Sequence, residues 1–118
     1  MMRPAESVEV RLCRDAVDMR KSIDGLAVLV EQELELDPFA AQLFVFSNRR
    51  RDKLKILYWD RSGFALWYKR LEKARFPWPQ THERSVVSIT GRELAWLLDG
   101  IDFFRLAPHE TLKYRAVS

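Results

Sequence analysis

Residues 48–70 read NRRRDKLKILYWDRSGFALWYKR, and the way this stretch doubles back on itself decides the fold. Apolar and polar residues alternate on both sides of Asp60-Arg61-Ser62-Gly63, as in two half-buried strands joined by a turn. Asp at the first and Gly at the fourth position suit a type I turn followed by a left-handed residue. With Arg61, Ser62 and Gly63 as a three-residue loop, Ile56 is set opposite Tyr68, Tyr58 opposite Leu66, and Lys55 opposite Lys69. That register places Leu54, Ile56, Tyr58, Phe64, Leu66 and Tyr68 on a core face, and Lys53, Lys55, Leu57, Trp59, Trp67 and Lys69 on the other.

The same stretch holds the positive charge. Residues 1–48 carry five Lys/Arg against nine Asp/Glu, residues 49–75 carry ten against three, and residues 76–118 carry five against five. The formal net charge of +3 therefore comes from one segment. At 118 residues the chain is read as a single domain, residues 1–118, with an ordinary globular composition. No apolar run is long enough for a membrane span, and the first residues, MMRPAESVEV, lack the apolar stretch of a signal peptide. A cytoplasmic location, with no membrane partner, is the expectation.

Upstream of the hairpin, Val8, Val10 and Leu12 alternate with Glu9 and Arg11 as in a half-buried strand. Ser22 is placed to cap a helix whose Ile23, Leu26, Ala27, Val30 and Leu34 recur at helical spacing, with Asp37-Pro38 ending it. The wholly apolar residues 43–46 suit a buried strand that enters the basic turn. Downstream, Pro77 and Pro79 deny the backbone two donors and break regular structure. Residues 85–89 can form another strand. Thr90 and Glu93 make a capping box ahead of Leu94, Ala95, Leu97 and Leu98, and Gly100 stands where that helix stops. Residues 103–118 form a tail without a readable pattern. The expected fold class is α+β: an antiparallel meander of four to five short strands with two helices packed against it.

Catalytic chemistry finds little support. Asp24, Asp52, Asp60 and Asp102 could in principle clamp metal ions about a phosphate, but each stands where a turn or a helix end already favours an acid. Cys13 is the only cysteine, and His82 and His109 are far apart, so neither a disulfide nor a zinc set is expected. Glycine-rich phosphate cradles and nucleophile elbows are absent from the sequence. No cofactor, no metal and no enzymatic activity are expected.

Basic and aromatic residues interleaved on one hairpin suit nucleic acid, because cations neutralise phosphates and rings stack on bases. Lys55 facing Lys69 would sharpen that reading, since like charges across a ladder repel until an anion lies between them. Against it stands a structural reading, in which the arginines line a solvated turn, the lysines guard a sheet edge, and Trp59 and Trp67 pack beneath a helix.

Set side by side, VDMRKSIDGLAVLV (17–30), DPFAAQLFVFSNRRRDKLKILYWDRSGFALWYKRLEKARFPWP (37–79) and ITGRELAWLLDGID (89–102) resemble the accessory protein TnpB, the second reading frame of the insertion-sequence family numbered sixty-six. That family is distinct from the RNA-guided nuclease sharing the TnpB name. The resemblance departs at Ser22 and Ala74, where family patterns carry glycine. It implies a bacterial protein needed for transposition beside a separate, larger transposase that supplies the catalytic carboxylates. The expected role is a non-catalytic, DNA-binding accessory factor. Arg49, Arg50, Arg51, Lys53, Lys55, Lys69, Arg70, Lys73 and Arg75 would take phosphates, with Trp59 and Trp67 as secondary contacts. The expected partners are DNA, including the element's terminal inverted repeats, the transposase, the other accessory protein and a second copy of the chain. The alternative is an adaptor that docks the transposase through the aromatic face.

Overall fold

The computed structural model describes residues 5–79, 84–106 and 116–117. Its strands are β1 (Glu9–Cys13), β2 (Gln42–Ser47), β3 (Lys53–Asp60), β4 (Gly63–Arg70), β5 (Val86–Thr90) and the two-residue β6 (Ala116–Val117), and its helices are α1 (Ile23–Val28), α2 (Gly91–Leu98) and the single turn α3 (Phe103–Leu106). All strands lie in one sheet, in the order β4-β3-β2-β1-β5-β6.

The sheet is mixed, which corrects the expectation of a purely antiparallel meander. β2, β3 and β4 do form an antiparallel meander, but β1 runs parallel to β2, and β5 pairs antiparallel with β1 on its far side. The cause is the crossover: α1 carries the chain across one face of the sheet between β1 and β2, and a crossover returns the next strand in the same direction.

Helices cover both faces. Leu26 of α1, with Leu29 and Val30 beyond it, packs on Cys13, Phe44, Phe46 and Leu57. On the opposite face Leu94 and Leu97 of α2 pack on Val10, Leu12, Leu43, Val45, Leu54, Ile56, Val87 and Ile89. Strand β2 is thus buried on both sides, which is why residues 43–46 show no polar alternation.

Helix α1 continues from Val28 into a wider π-helical turn over Leu29–Glu33, and the chain leaves it through Glu35 at φ 56°. Ser22 holds the N-cap position with extended backbone, yet its side chain makes no cap hydrogen bond. Thr90 and Glu93 do form the reciprocal capping box on α2, at 3.1 and 2.8 Å. At the other end of α2, Gly100 adopts φ 80°, its N–H donating to the Leu97 carbonyl while that of Ile101 donates to Trp96. This is the six-to-one and five-to-two pairing of a Schellman stop, and it needs the left-handed residue that glycine supplies.

The hairpin closes one residue tighter than the sequence suggests. Asp60 pairs with Gly63, so the loop is Arg61-Ser62, with Arg61 at φ 53° and the Ser62 N–H donating to the Asp60 carbonyl. A one-residue change of register turns a whole strand over. Trp67 consequently lies opposite Ile56 on the α2 side, while Phe64, Leu66 and Tyr68 go to the α1 side with Leu57 and Trp59. Lys55 faces Tyr68, and Lys69 faces Leu54. The repulsive Lys55–Lys69 pair does not exist.

The stretch FPWP is a strap that plugs the core. Phe76 and Trp78 are buried in the α2-side core, and the strap is tied by the Leu71 N–H to the Asp52 carbonyl and the Phe76 N–H to the Arg51 carbonyl, both 2.7 Å. Among the described residues no helix is long and apolar enough to cross a membrane. His82, His109 and most of the tail, residues 107–115 and 118, lie outside the described residues.

Candidate nucleic-acid interface

The β2–β3 turn is built by Asn48. Its side-chain oxygen accepts from the Lys53 N–H at 3.0 Å, and its amide donates to the Asp52 carboxylate at 2.6 Å, a short polar side chain closing a turn on its own backbone. The bond from Asn48 also holds the Asp52 carboxyl below the usual carboxylate range. This geometry leaves Arg49 and Arg50 exposed at the tip.

Arg51 points the other way. Its guanidinium donates to the carbonyls of Arg14 and Asn48 at 3.1 and 3.3 Å and lies 5.0 Å from the ring centre of Trp78, whose indole N–H also donates to the Arg14 carbonyl, at 3.0 Å. Partial burial lowers the Arg51 pKa from its ordinary value. The backbone there is left-handed, φ 61°. Arg51 is a tie between β1's exit, the turn and the strap.

Two of the sequence-selected lysines are likewise engaged inside the fold. The Lys55 ammonium donates to the carbonyls of Met19 and Lys21 at 2.7 and 2.8 Å, fixing the loop that leads into α1. The Lys69 ammonium reaches the Leu98 carbonyl at 3.4 Å, a cation at the C-terminal end of α2, where the helix dipole favours one.

The other cations gather at one end of the sheet. Lys53 and Arg70 are cross-strand partners beside the turn, and the backbone bonds of Leu71 to Asp52 and of Phe76 to Arg51 hold the segment that carries Lys73 and Arg75, both exposed, alongside the end of the turn that carries Arg49 and Arg50. Three acids on this end, Asp15, Asp52 and Glu72, already accept hydrogen bonds, Asp15 from Arg14 at 3.1 Å and Glu72 from Arg70 at 2.9 Å. That pairing raises the Arg70 pKa further.

The tryptophans do not join them. Trp59 is six residues along β3 from Lys53, about 20 Å at the rise of an extended strand. It lies in an aromatic cluster with Phe39 and Phe64, ring centres 5.1 Å from each. Trp67 is on the opposite face, packed against the α2-side core. Among the described residues, the one aromatic side chain beside the cationic end that is widely exposed is Tyr68, at 49%. Sequence reasoning put it in the core because the register was one residue off.

Cys13 is buried, and desolvation, with Asp15 beside it, pushes its thiol up to about 11. A thiol so placed is a poor nucleophile. Among the described residues no group of three His, Cys, Asp or Glu side chains is positioned to hold a metal ion.

An α+β domain with helices on both faces of a mixed, mostly antiparallel sheet and a cation-lined end is the class that this geometry defines. The family model described as IS66 Orf2 like protein matches residues 8–108, and the chain belongs to that family. It is 36% identical over 111 residues to the uncharacterized protein y4hO of Sinorhizobium fredii, covering 94% of each chain, and 32% identical over 106 residues to the uncharacterized protein y4jC of the same organism, covering 90% of each. No solved structure matches. Family membership supports an accessory role in insertion-sequence transposition.

Proposed function

We propose that the protein is a non-catalytic accessory factor of transposition that holds DNA by its phosphates at the basic end of the sheet. Arg49, Arg50, Lys53, Arg70, Lys73 and Arg75 are the contacts in this reading. The observation that carries it is the strap: its two backbone hydrogen bonds to Asp52 and Arg51 bring cations separated by more than twenty positions in sequence to one end. A protein gains nothing for its own stability by gathering like charges, whereas phosphates repay the arrangement through released counterions. Arg51, Lys55 and Lys69 support the interface from within.

The test is a binding titration against the element's terminal inverted repeat and a scrambled duplex at two salt concentrations. Binding that weakens steeply with salt supports the reading, and equal affinity for both duplexes assigns the recognition to the backbone alone. Action in the cytoplasm, on the nucleoid, follows from it.

A second reading has its own observation. The Phe39–Trp59–Phe64 cluster lies at the far end of the hairpin, with Phe39 54% exposed. Its chemistry suits docking of the transposase, or of the other accessory protein, through aromatic anchors. Binding there would be insensitive to salt.

A further inference from the structure

We infer that Tyr68 is a stacking platform for an unpaired base, so that the basic end takes single-stranded DNA as well as duplex. This rests on the phosphate-binding reading above and adds a second kind of contact to it.

Tyr68 belongs to the edge strand β4, and its ring is half exposed on the α1 side of the sheet. Its cross-strand partner is Lys55, whose ammonium lies 5.6 Å from the ring centre. That ammonium is itself pinned by the carbonyls of Met19 and Lys21. The ring is thus held beside a cation anchored in the fold, not beside one free to swing away.

Lys53 and Arg70 are the next pair along the same face, two residues on, or about 7 Å at the rise of a strand. A nucleotide whose base lies on Tyr68 therefore has cations within reach of its phosphate. Rings next to a cationic track are how proteins hold single strands without reading sequence, since every base has a π-face. Duplex DNA keeps its bases stacked inside and would touch only the cations.

The test compares the affinities of a short oligothymidylate and a duplex of equal length for the intact chain, for Tyr68→Leu and for Tyr68→Phe, with circular dichroism as the check on folding. Tyr68→Leu should bind the single strand on the order of ten-fold more weakly and the duplex unchanged, while Tyr68→Phe should keep both affinities. Photo-crosslinking of the unaltered protein to an iodouracil-substituted single strand gives a second measurement, independent of any variant, and should map to Tyr68. A folded Tyr68→Leu with full single-strand affinity, or crosslinks confined to other residues, would overturn the inference while leaving the phosphate reading standing. Failure of the unaltered protein to bind either DNA would overturn both.

Discussion

Lys55 stands directly across the hairpin from Tyr68, its ammonium 5.6 Å from the ring centre and hydrogen-bonded to the carbonyls of Met19 and Lys21. The relationship joins the edge of the sheet to the loop before α1. Replacing Lys55 by Met keeps the stem and removes the donor, leaving two carbonyls without it. Stability should fall by about 1–3 kcal/mol, the cost of losing a charge-assisted, part-buried hydrogen bond. Lys55→Glu should be worse, because a carboxylate repels both carbonyls. Urea unfolding of the two variants checks this; a gain in stability for Lys55→Glu would mean that Lys55 faces another lysine after all.

The three consecutive arginines should separate by experiment. Arg49→Ala and Arg50→Ala alter exposed turn positions and should each change stability by no more than about 0.5 kcal/mol. Arg51→Ala removes the bonds to Arg14 and Asn48 and the contact with Trp78, and should cost roughly 2 kcal/mol. Arg51→Gly loses the same contacts but relieves the left-handed backbone at φ 61°, so it should be the more stable of the two by about 1 kcal/mol. Chemical denaturation of the four variants gives the order; equal losses at 49, 50 and 51 would contradict it.

Gly91 opens α2 where the segment before β1 passes over it. A Cβ there would collide with the Ala5 carbonyl and crowd Val8, and the obstacle is backbone, which cannot rotate out of the way. Gly91→Ala should therefore destabilise by more than about 1 kcal/mol, although alanine is otherwise the better helix former. A rise in melting temperature would show that residues 5–8 do not pack on the start of α2.

Cys13 sets an alkaline limit. Its thiol ionises near 9.0 ordinarily and near 11 in the fold, so between those values the unfolded chain has released a proton that the folded chain still binds. Stability present below pH 9 is lost as the pH rises toward 11, by at most about 2–3 kcal/mol. Cys13→Ala should flatten that part of the profile. Unfolding free energies of both proteins across this range test it, and identical slopes would assign the alkaline loss to other groups.

Features that depend on near neighbours in sequence were legible. The Thr90–Glu93 capping box, the stop at Gly100 and the apolar run of β2 follow from local chemistry, and the structure contains them. Asp60-Arg61-Ser62-Gly63 was legible as a turn but not in its length, because it can close as two residues or three. A three-residue loop would put Tyr68 in the core and Trp67 on the other face, whereas the two-residue loop does the reverse. The parallel pairing of β1 with β2 had no local signal, since it depends on α1 crossing the sheet. The site behaved likewise: the charge was visible in the sequence, but the carbonyls that engage Arg51, Lys55 and Lys69 belong to Arg14, Met19, Lys21 and Leu98, all at least twenty-nine positions away.

If cations at one end of the sheet hold phosphates, their number sets the slope of log affinity against log salt. Each phosphate neutralised on duplex DNA contributes about −0.9 to that slope. The unaltered protein should show a steep negative slope, and the variant carrying Arg49→Ala, Arg50→Ala, Lys73→Ala and Arg75→Ala, folded by circular dichroism, should lose roughly 0.9 for each contact removed. A slope near zero, or one that the fourfold variant leaves unchanged, would show that these cations do not hold phosphates.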